Sequence, residues 1–325
     1  MMAAKLARRR WLALAAALAV AGAASDHASA ESAATIRIIV PLPAGGGVDV
    51  VARELADAIA RATGATFVIE NRPGAGTIIG TEAVARAAPD GHTLLLVPNS
   101  FVVAPQLHKV NYDAIAGFAP ICSLVATPTI LVVDKASPYR TLGVFVDAAH
   151  AAPGKLTVAS VAGAALQVTF AMLQQAAHMQ TTFVSYPGTL PAVTGLLGGH
   201  VDAVYSDFPT VAEQIKPGAL RALATGARAR LDSLPDVPTV DESGYQGYEA
   251  DIWYGLFAPA KTPPAAIARL GGWFAAAIAD PAIRAKLAAQ GLRPVSLCGA
   301  AFRDYVRRQY EDYGDVIRKA DIRAP

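Results

Sequence analysis

From residue 34 onward, short aliphatic runs alternate with amphipathic stretches, the pattern of α/β layers built on parallel strands. Ile36–Val40 predicts a buried strand. Val50–Ala62 predicts a helix with apolar positions at Val50, Val51, Leu55 and Ile59 and a stop at Gly64. Thr66–Glu70 predicts the next strand, Thr77–Ala87 a helix ending before the turn Pro89-Asp90-Gly91, and His92–Val97 a third strand. A long apolar segment, Ile121–Asp134, leads to a second run of the same kind. There the pattern predicts helix Thr141–His150, strand Leu156–Ser160, helix Ala165–Ala177, strand Thr182–Ser185, helix Leu190–Leu197, and strands Val201–Tyr205 and Leu220–Thr225. Leu234–Gly244 reads as a surface loop and Trp253–Ala258 as extended chain. Pro263–Ala320 reads as mostly helical, broken at Asp280-Pro281 and across Gly291–Gly299. Two α/β units with a helical tail predict a chain that leaves one domain, builds a second and returns.

The 325 residues, 53% hydrophobic and 17% charged, suffice for two domains with real cores and exclude intrinsic disorder. Met1–Ala30 has the parts of a secretory signal: a basic start from Lys5 to Arg10, an apolar run from Trp11 to Ala24, and the small-residue site Ala28-Ser29-Ala30. The apolar run is short for a membrane anchor, so cleavage and export to the periplasm are expected. Arg8-Arg9-Arg10-Trp11-Leu12 resembles a twin-arginine signal, and the export route stays open. No later apolar stretch reaches spanning length, so a soluble mature protein is expected. Without residues 1–30 the chain has 24 Lys and Arg against 25 Asp and Glu, a net charge of −1. That balance points away from nucleic acid and from membrane surfaces. Two cysteines, Cys122 and Cys298, can pair in an oxidising compartment, although two buried, inert thiols is the plainer reading.

Ligands of open α/β sheets sit beyond the carboxyl ends of the strands, so the loops directly after strands carry the chemistry. After the first strand comes Pro41-Leu42-Pro43-Ala44-Gly45-Gly46-Gly47-Val48-Asp49. Three glycines let backbone approach a ligand, and the N–H groups of a helix start favour an anion. The loop is neither a Walker motif nor a good Gly-x-Gly-x-x-Gly, because Val50 stands where the third glycine belongs. A tight turn alone would also account for the glycines, and Asp49 in the first helical turn suits a cap as well as a ligand contact. Glu70-Asn71-Arg72-Pro73-Gly74-Ala75-Gly76 follows the second strand, and Asn99 and Ser100 follow the third, as cleft groups or helix caps. In the second unit Ser160-Val161-Ala162-Gly163-Ala164, Tyr186-Pro187-Gly188-Thr189 and Ser206-Asp207 take the equivalent places. Phe101, Phe208 and Trp253 are assigned to core packing. The chain has no Gly-x-Ser-x-Gly, His-Glu-x-x-His or Cys-x-x-Cys, and its histidines lack metal-ligand spacing. Neither catalytic residues, nor a metal, nor a cofactor is expected.

These loops carry a family resemblance. Ile39–Arg53, with its core Pro41-Leu42-Pro43-Ala44-Gly45-Gly46-Gly47-Val48-Asp49, resembles the opening motif of the Bug-type solute receptors, the extracytoplasmic binding proteins of tripartite tricarboxylate transporters. Further matches follow in order: Val68–Gly76, Pro89–Leu94, Gly199–Ala203, Leu234–Thr239, Trp253–Leu256 and Ala258–Pro263. Together they span nearly the whole mature chain. The resemblance implies a two-lobe periplasmic-binding-protein fold of type II that closes on a small carboxylate. It implies a first lobe of residues 31–134 and 255–325, whose C-terminal helical segment returns to it, and a second of residues 135–254, with both crossings as the hinge. Family ligands are held largely by backbone N–H groups and bridging waters, which suits the glycine loops.

Two departures change the expected ligand. Family members usually carry Ser or Thr where this chain has Val48. The second-lobe loop usually reads Ser-x-Gly-x-Gly-Ser followed by His, against Ser160-Val161-Ala162-Gly163-Ala164-Ala165 and Gln167 here. A less polar pocket is therefore expected, suited to one carboxylate on an apolar or aromatic body. The expected ligand-binding residues are Gly45, Gly46, Gly47, Val48, Asp49, Asn99, Ser100, Ser160, Ala162, Gly163, Ala164, Tyr186, Gly188, Thr189 and Asp207. The expected partners are membrane permease subunits, with the receptor a monomer. Two rivals share these features: a sensing adaptor for a membrane kinase, and an exported hydrolase working through Asp49 or Asp207.

Overall fold

The computed structural model describes residues 35–162 and 164–323; the predicted signal segment and Gly163 lie outside them. The strands are β1 (Ile36–Val40), β2 (Phe67–Asn71), β3 (Thr93–Pro98), β4 (Phe118–Asp134), β5 (Thr157–Val161), β6 (Thr182–Tyr186), β7 (Ala203–Asp207), β8 (Leu220–Thr225), β9 (Asp251–Pro259) and β10 (Arg293–Cys298). The helices are α1 (Gly47–Thr63), α2 (Ile78–Ala85), α3 (Ser100–Leu107), α4 (Leu142–Ala151), α5 (Ala165–Ala176), α6 (Thr189–Leu197), α7 (Phe208–Ile215), α8 (Pro264–Ala279), α9 (Pro281–Ala289) and α10 (Gly299–Lys319).

The strand order is β2-β1-β3-β9-β4-β7-β5-β6, with β8 and β10 also pairing β4. In one half β1 lies parallel to β2 and β3, and β9 runs antiparallel beside β3. In the other β5 lies parallel to β6 and β7, and β4 runs antiparallel beside β7. Each half thus repeats one plan, three parallel strands closed by an antiparallel one. This is the mixed α/β architecture expected. β4 belongs to both halves, and every residue from Ile121 to Val133 is buried. A strand paired along both edges and covered on both faces reads as a continuous apolar run, which is why this segment showed no alternation.

Helix α1 shows how the local sequence builds the fold. Val48, Val51, Ala52, Leu55, Ala56 and Ile59 are buried at helical spacing. All of these but Ala56 pack with Ile38, Leu94, Leu270 and Phe274. The stripe begins at Val48, while Val50, one of the apolar positions of the predicted helix, is half-buried. Gly64 ends the helix in the left-handed region, with φ 73°, and donates its N–H to the Ala60 carbonyl, a conformation only glycine adopts cheaply. Replacing fully buried Leu55 by Ala would cost about 2–5 kcal/mol. On the other face Phe101, Trp253, Phe257 and Phe302 form an aromatic core, and Phe208 is buried in the second half.

Three elements depart from the sequence reading. Helices α3 and α7 occupy stretches to which the sequence pattern assigns no element, because each is only eight residues long and each contains a proline, Pro105 and Pro209. The break at Gly291–Gly299 contains β10, which pairs antiparallel with β4 and carries a register shift between Pro294 and Leu297. That pairing sets Cys298 directly opposite Cys122, and the two form a disulfide with Cα atoms 4.0 Å apart. Two inert thiols is therefore corrected to a cross-strand bridge.

The halves join where β4 meets the segments around Gly226 and Ala250. The Gly226 N–H donates to the Thr129 carbonyl at 2.8 Å, the Ala250 N–H to Gly226 at 2.8 Å, and Thr129 Oγ1 to the Ala250 carbonyl at 2.7 Å. A Cβ on Gly226 would lie 2.3 Å from Thr129 Oγ1 and 2.8 Å from the Ala250 carbonyl oxygen. Only glycine fits there.

Candidate functional site

A cleft of about 460 Å³ lies beyond the carboxyl ends of β1, β3, β5 and β7, within the size range of small-molecule sites. Four helices begin at its walls: α1 at Gly47, α3 at Ser100, α5 at Ala165 and α7 after Asp207. None of the residues that open them, Gly46, Asn99, Ala164 or Asp207, caps its helix with a side-chain hydrogen bond. The first N–H groups of a helix have no intrahelical acceptor, and the positive dipole end adds to them. Convergent uncapped helix starts make a site for an anion without a cationic side chain. Among the described residues lining the cleft there is no Lys, Arg or His.

The polar side chains of the lining are Thr77, Asn99, Ser100, Thr127, Asp207 and Tyr254; Leu42, Val48, Val161, Leu166 and Ile252 make much of the rest apolar. Asn99 is fully buried; its Nδ2 donates to the Asp251 carbonyl at 3.1 Å and to the Tyr313 hydroxyl at 3.3 Å. Its Oδ1 and Thr127 Oγ1 are buried without a partner. Asp207 accepts from Thr210 Oγ1 at 2.7 Å, which anchors its carboxylate at the start of α7. Burial, and then the negative charge of Asp207, push the Tyr254 phenol well above its ordinary value of 10.0. It stays a neutral donor, and among the described residues nothing bonds to its hydroxyl.

The structure brings seven of the expected residues to this cleft: Gly47, Val48, Asn99, Ser100, Ala162, Ala164 and Asp207. Gly163, between two of them, lies outside the described residues. Gly45, Gly46 and Asp49 do not line it. Asp49 is buried and faces back into its own loop, where it accepts from the Gly45 N–H at 2.9 Å, Asn71 Nδ2 at 3.0 Å, and Arg53 Nε and Nη2 at 3.0 and 2.9 Å. Burial alone would raise its carboxyl, but Arg53, the Gly45 N–H and the Asn71 amide outweigh it and hold the group below its ordinary 3.8. Asn71 also donates to the Leu42 carbonyl at 3.1 Å. Asp49 thus fixes the shape of the glycine loop.

Ser160 is buried and donates to the Tyr205 carbonyl at 2.8 Å, tying β5 to β7. Tyr186, Gly188 and Thr189 also lie off the cleft. The Tyr186 hydroxyl packs over α6, where a Cβ on Gly195 would come within 2.3 Å of it.

Sequence reasoning gave no role to Thr77, Thr127, Ile252 or Tyr254. For Ile252 and Tyr254 a signal existed: side chains alternate along a strand, so they share one face while Trp253 points to the core on the other. For Thr77 there was none, because its place depends on a backbone turn of unusual conformation.

The chain is also similar to known proteins over most of its length. Residues 51–322 match the family described as the tripartite tricarboxylate transporter family receptor. Protein BugT of Bordetella pertussis is 33% identical over 307 residues, 93% of this chain and 94% of its own. Among solved structures, the periplasmic binding protein BugD has a TM-score of 0.73 at 33% identity, over 89% of this chain and 98% of its own. MatC from Rhodopseudomonas palustris, with bound malate, has a TM-score of 0.72 at 29% identity, over 87% of this chain and 98% of its own. Among the described residues no helix is long and apolar enough to cross a membrane. This chain belongs to the tripartite tricarboxylate transporter receptors of the Bug type, and is a periplasmic solute-binding receptor, not an enzyme.

Proposed function

We propose that this receptor captures a small organic anion with one carboxylate and an apolar body, and delivers it to the membrane subunits of a tripartite tricarboxylate-type transporter. The observation that carries the reading is the convergence of three uncapped helix starts, those of α1, α3 and α5, on a cleft without a cation. Their N–H groups suit a carboxylate, and MatC, of the same fold, binds malate. The rest of the lining argues against further carboxylates. Val48 carries no hydroxyl, Leu42, Leu166 and Ile252 offer apolar surface, and the Asp207 carboxylate repels a second anionic group.

The two lobes meet within β4, which belongs to both, and at the Gly226–Ala250 crossing, close to the expected boundaries at residues 134 and 254, and these two places form the hinge. Bound anion stabilises the closed form only through contacts it lacks in the open one. The receptor reaches the periplasm by a cleaved signal, residues 1–30, and acts as a monomer. Thermal denaturation with a graded set of carboxylates tests the ligand class. Monocarboxylates with apolar bodies raise the melting temperature more than citrate does; a larger shift with citrate contradicts it.

A further inference from the structure

Four consecutive residues after β2 have positive φ: Gly74 at 137°, Ala75 at 47°, Gly76 at 61° and Thr77 at 86°. The first and third are glycines, for which this is ordinary. Thr77 is β-branched, and its branched Cβ crowds the neighbouring carbonyl in this region. Such a conformation persists only where the surroundings over-determine it, and such residues cluster at functional sites.

The surroundings here do so. Thr77 is buried, and its carbonyl accepts from Thr81 Oγ1 at 2.8 Å. Gly80, one turn into α2, lies so close to the first loop that a Cβ would come within 2.7 Å of Pro41 Cβ and 2.9 Å of the Arg72 carbonyl oxygen. The start of α2 is thereby pressed against the loop after β1, and Thr77 is held at the cleft wall.

What Thr77 offers there is a hydroxyl. The Asn99 amide is already committed to Asp251 and Tyr313, and Val48 has no polar atom. That leaves Thr77 Oγ1 and Ser100 Oγ, with the hydroxyls of Thr127 and Tyr254, as the cleft's available hydroxyls, and of these Thr77 and Ser100 lie beside each other. Among the described residues each has only the other for a partner, at 3.5 Å, the far limit of a hydrogen bond. Both lie at the cleft.

We infer that Thr77 is a selectivity-determining residue of this receptor, its side chain held in a strained backbone so that its hydroxyl, paired with that of Ser100, takes an oxygen of the bound carboxylate. The inference rests on the carboxylate reading above and adds the residue that replaces the hydroxyl missing at Val48.

The test uses the mature protein, its Thr77→Gly and Thr77→Ser variants, and acetate, benzoate, malate and citrate as probes. Melting temperature without a probe and calorimetric titration with each are measured. Thr77→Gly should melt no lower than the parent, because relief of strain offsets the lost side chain. It should bind the parent's best probe roughly three- to tenfold more weakly, and Thr77→Ser should recover most of that loss. A Thr77→Gly protein that binds all four as the parent does, or that melts several degrees lower, overturns the inference, as does a Thr77→Ser protein that recovers nothing. A parent that binds none of the four overturns the carboxylate reading itself, and is recognised before any variant is compared.

Discussion

The Tyr254 hydroxyl lies against the backbone of Gly47, so close that a Cβ at residue 47 would stand 3.0 Å from it. Gly47 opens α1 and Tyr254 comes from β9, so the contact joins the glycine loop to the returning strand at the cleft. Both the absence of a side chain and the position of the phenol follow from it. Gly47→Ala should displace the hydroxyl and narrow the cleft, weakening ligand binding about tenfold, worth about 1.4 kcal/mol, while melting temperature changes little because Gly47 is exposed. Parallel calorimetry and thermal denaturation check both parts.

The glycine loop depends on the Asp49 carboxylate, and its pH dependence follows from the sign of the shift. Its folded carboxyl lies below the ordinary 3.8, so its contribution is fully present above that value and is lost as pH falls through the folded one. Asp251 runs the other way, since burial, only partly offset by Arg293, raises its carboxyl. A variant separates them. Asp49→Asn should cost about 2 kcal/mol at neutral pH, the range for hydrogen bonds to a charged group. The deficit should shrink as pH falls below 3.8. Urea unfolding of both proteins from pH 7 to pH 3 measures it, and a constant deficit would refute the assignment.

Cys122 and Cys298 close a loop of 176 residues between adjacent strands. On the chain-entropy argument a loop of that length contributes roughly 5 kcal/mol at most, and native bridges commonly contribute 2–5. Reduction, or a Cys122→Ser and Cys298→Ser double variant, should lower unfolding stability by about 3 kcal/mol. Denaturant titration with and without reductant reads this directly.

At the crossing of the halves, Gly226→Ala should destabilise by about 1–3 kcal/mol, the usual cost of forcing a methyl group into a packed site. Because the same contacts form the proposed hinge, ligand-induced closure should change with it. Small-angle scattering of parent and variant, with and without a bound carboxylate, reports that change.

Much of this was legible in the chain itself, for identifiable reasons. The strands β1, β5 and β8 and the helix α1 announce themselves because aliphatic runs and a period of 3.6 residues reflect burial directly. The loops after β1, β3, β5 and β7 were findable from topology alone. What stayed hidden is what depends on non-local pairing or on single backbone torsions. β10 is six residues with Pro294 and Ser296 inside it, and only its partner β4 makes it a strand. Asp49 and Ser160 carry the right chemistry at the right loops, yet their hydrogen bonds turn them inward, to Arg53 and to Tyr205. Thr77 reads as an ordinary helix-start threonine until its φ is known.

The central claim is that this cleft holds one small carboxylate with backbone donors and an apolar wall. Native mass spectrometry of the mature protein, purified without denaturation, followed by identification of the released small molecule, tests it most directly. The account predicts one organic anion per chain, chemically unchanged, with a single carboxylate on an apolar body. A released tricarboxylate, or a ligand with no carboxylate at all, would contradict it.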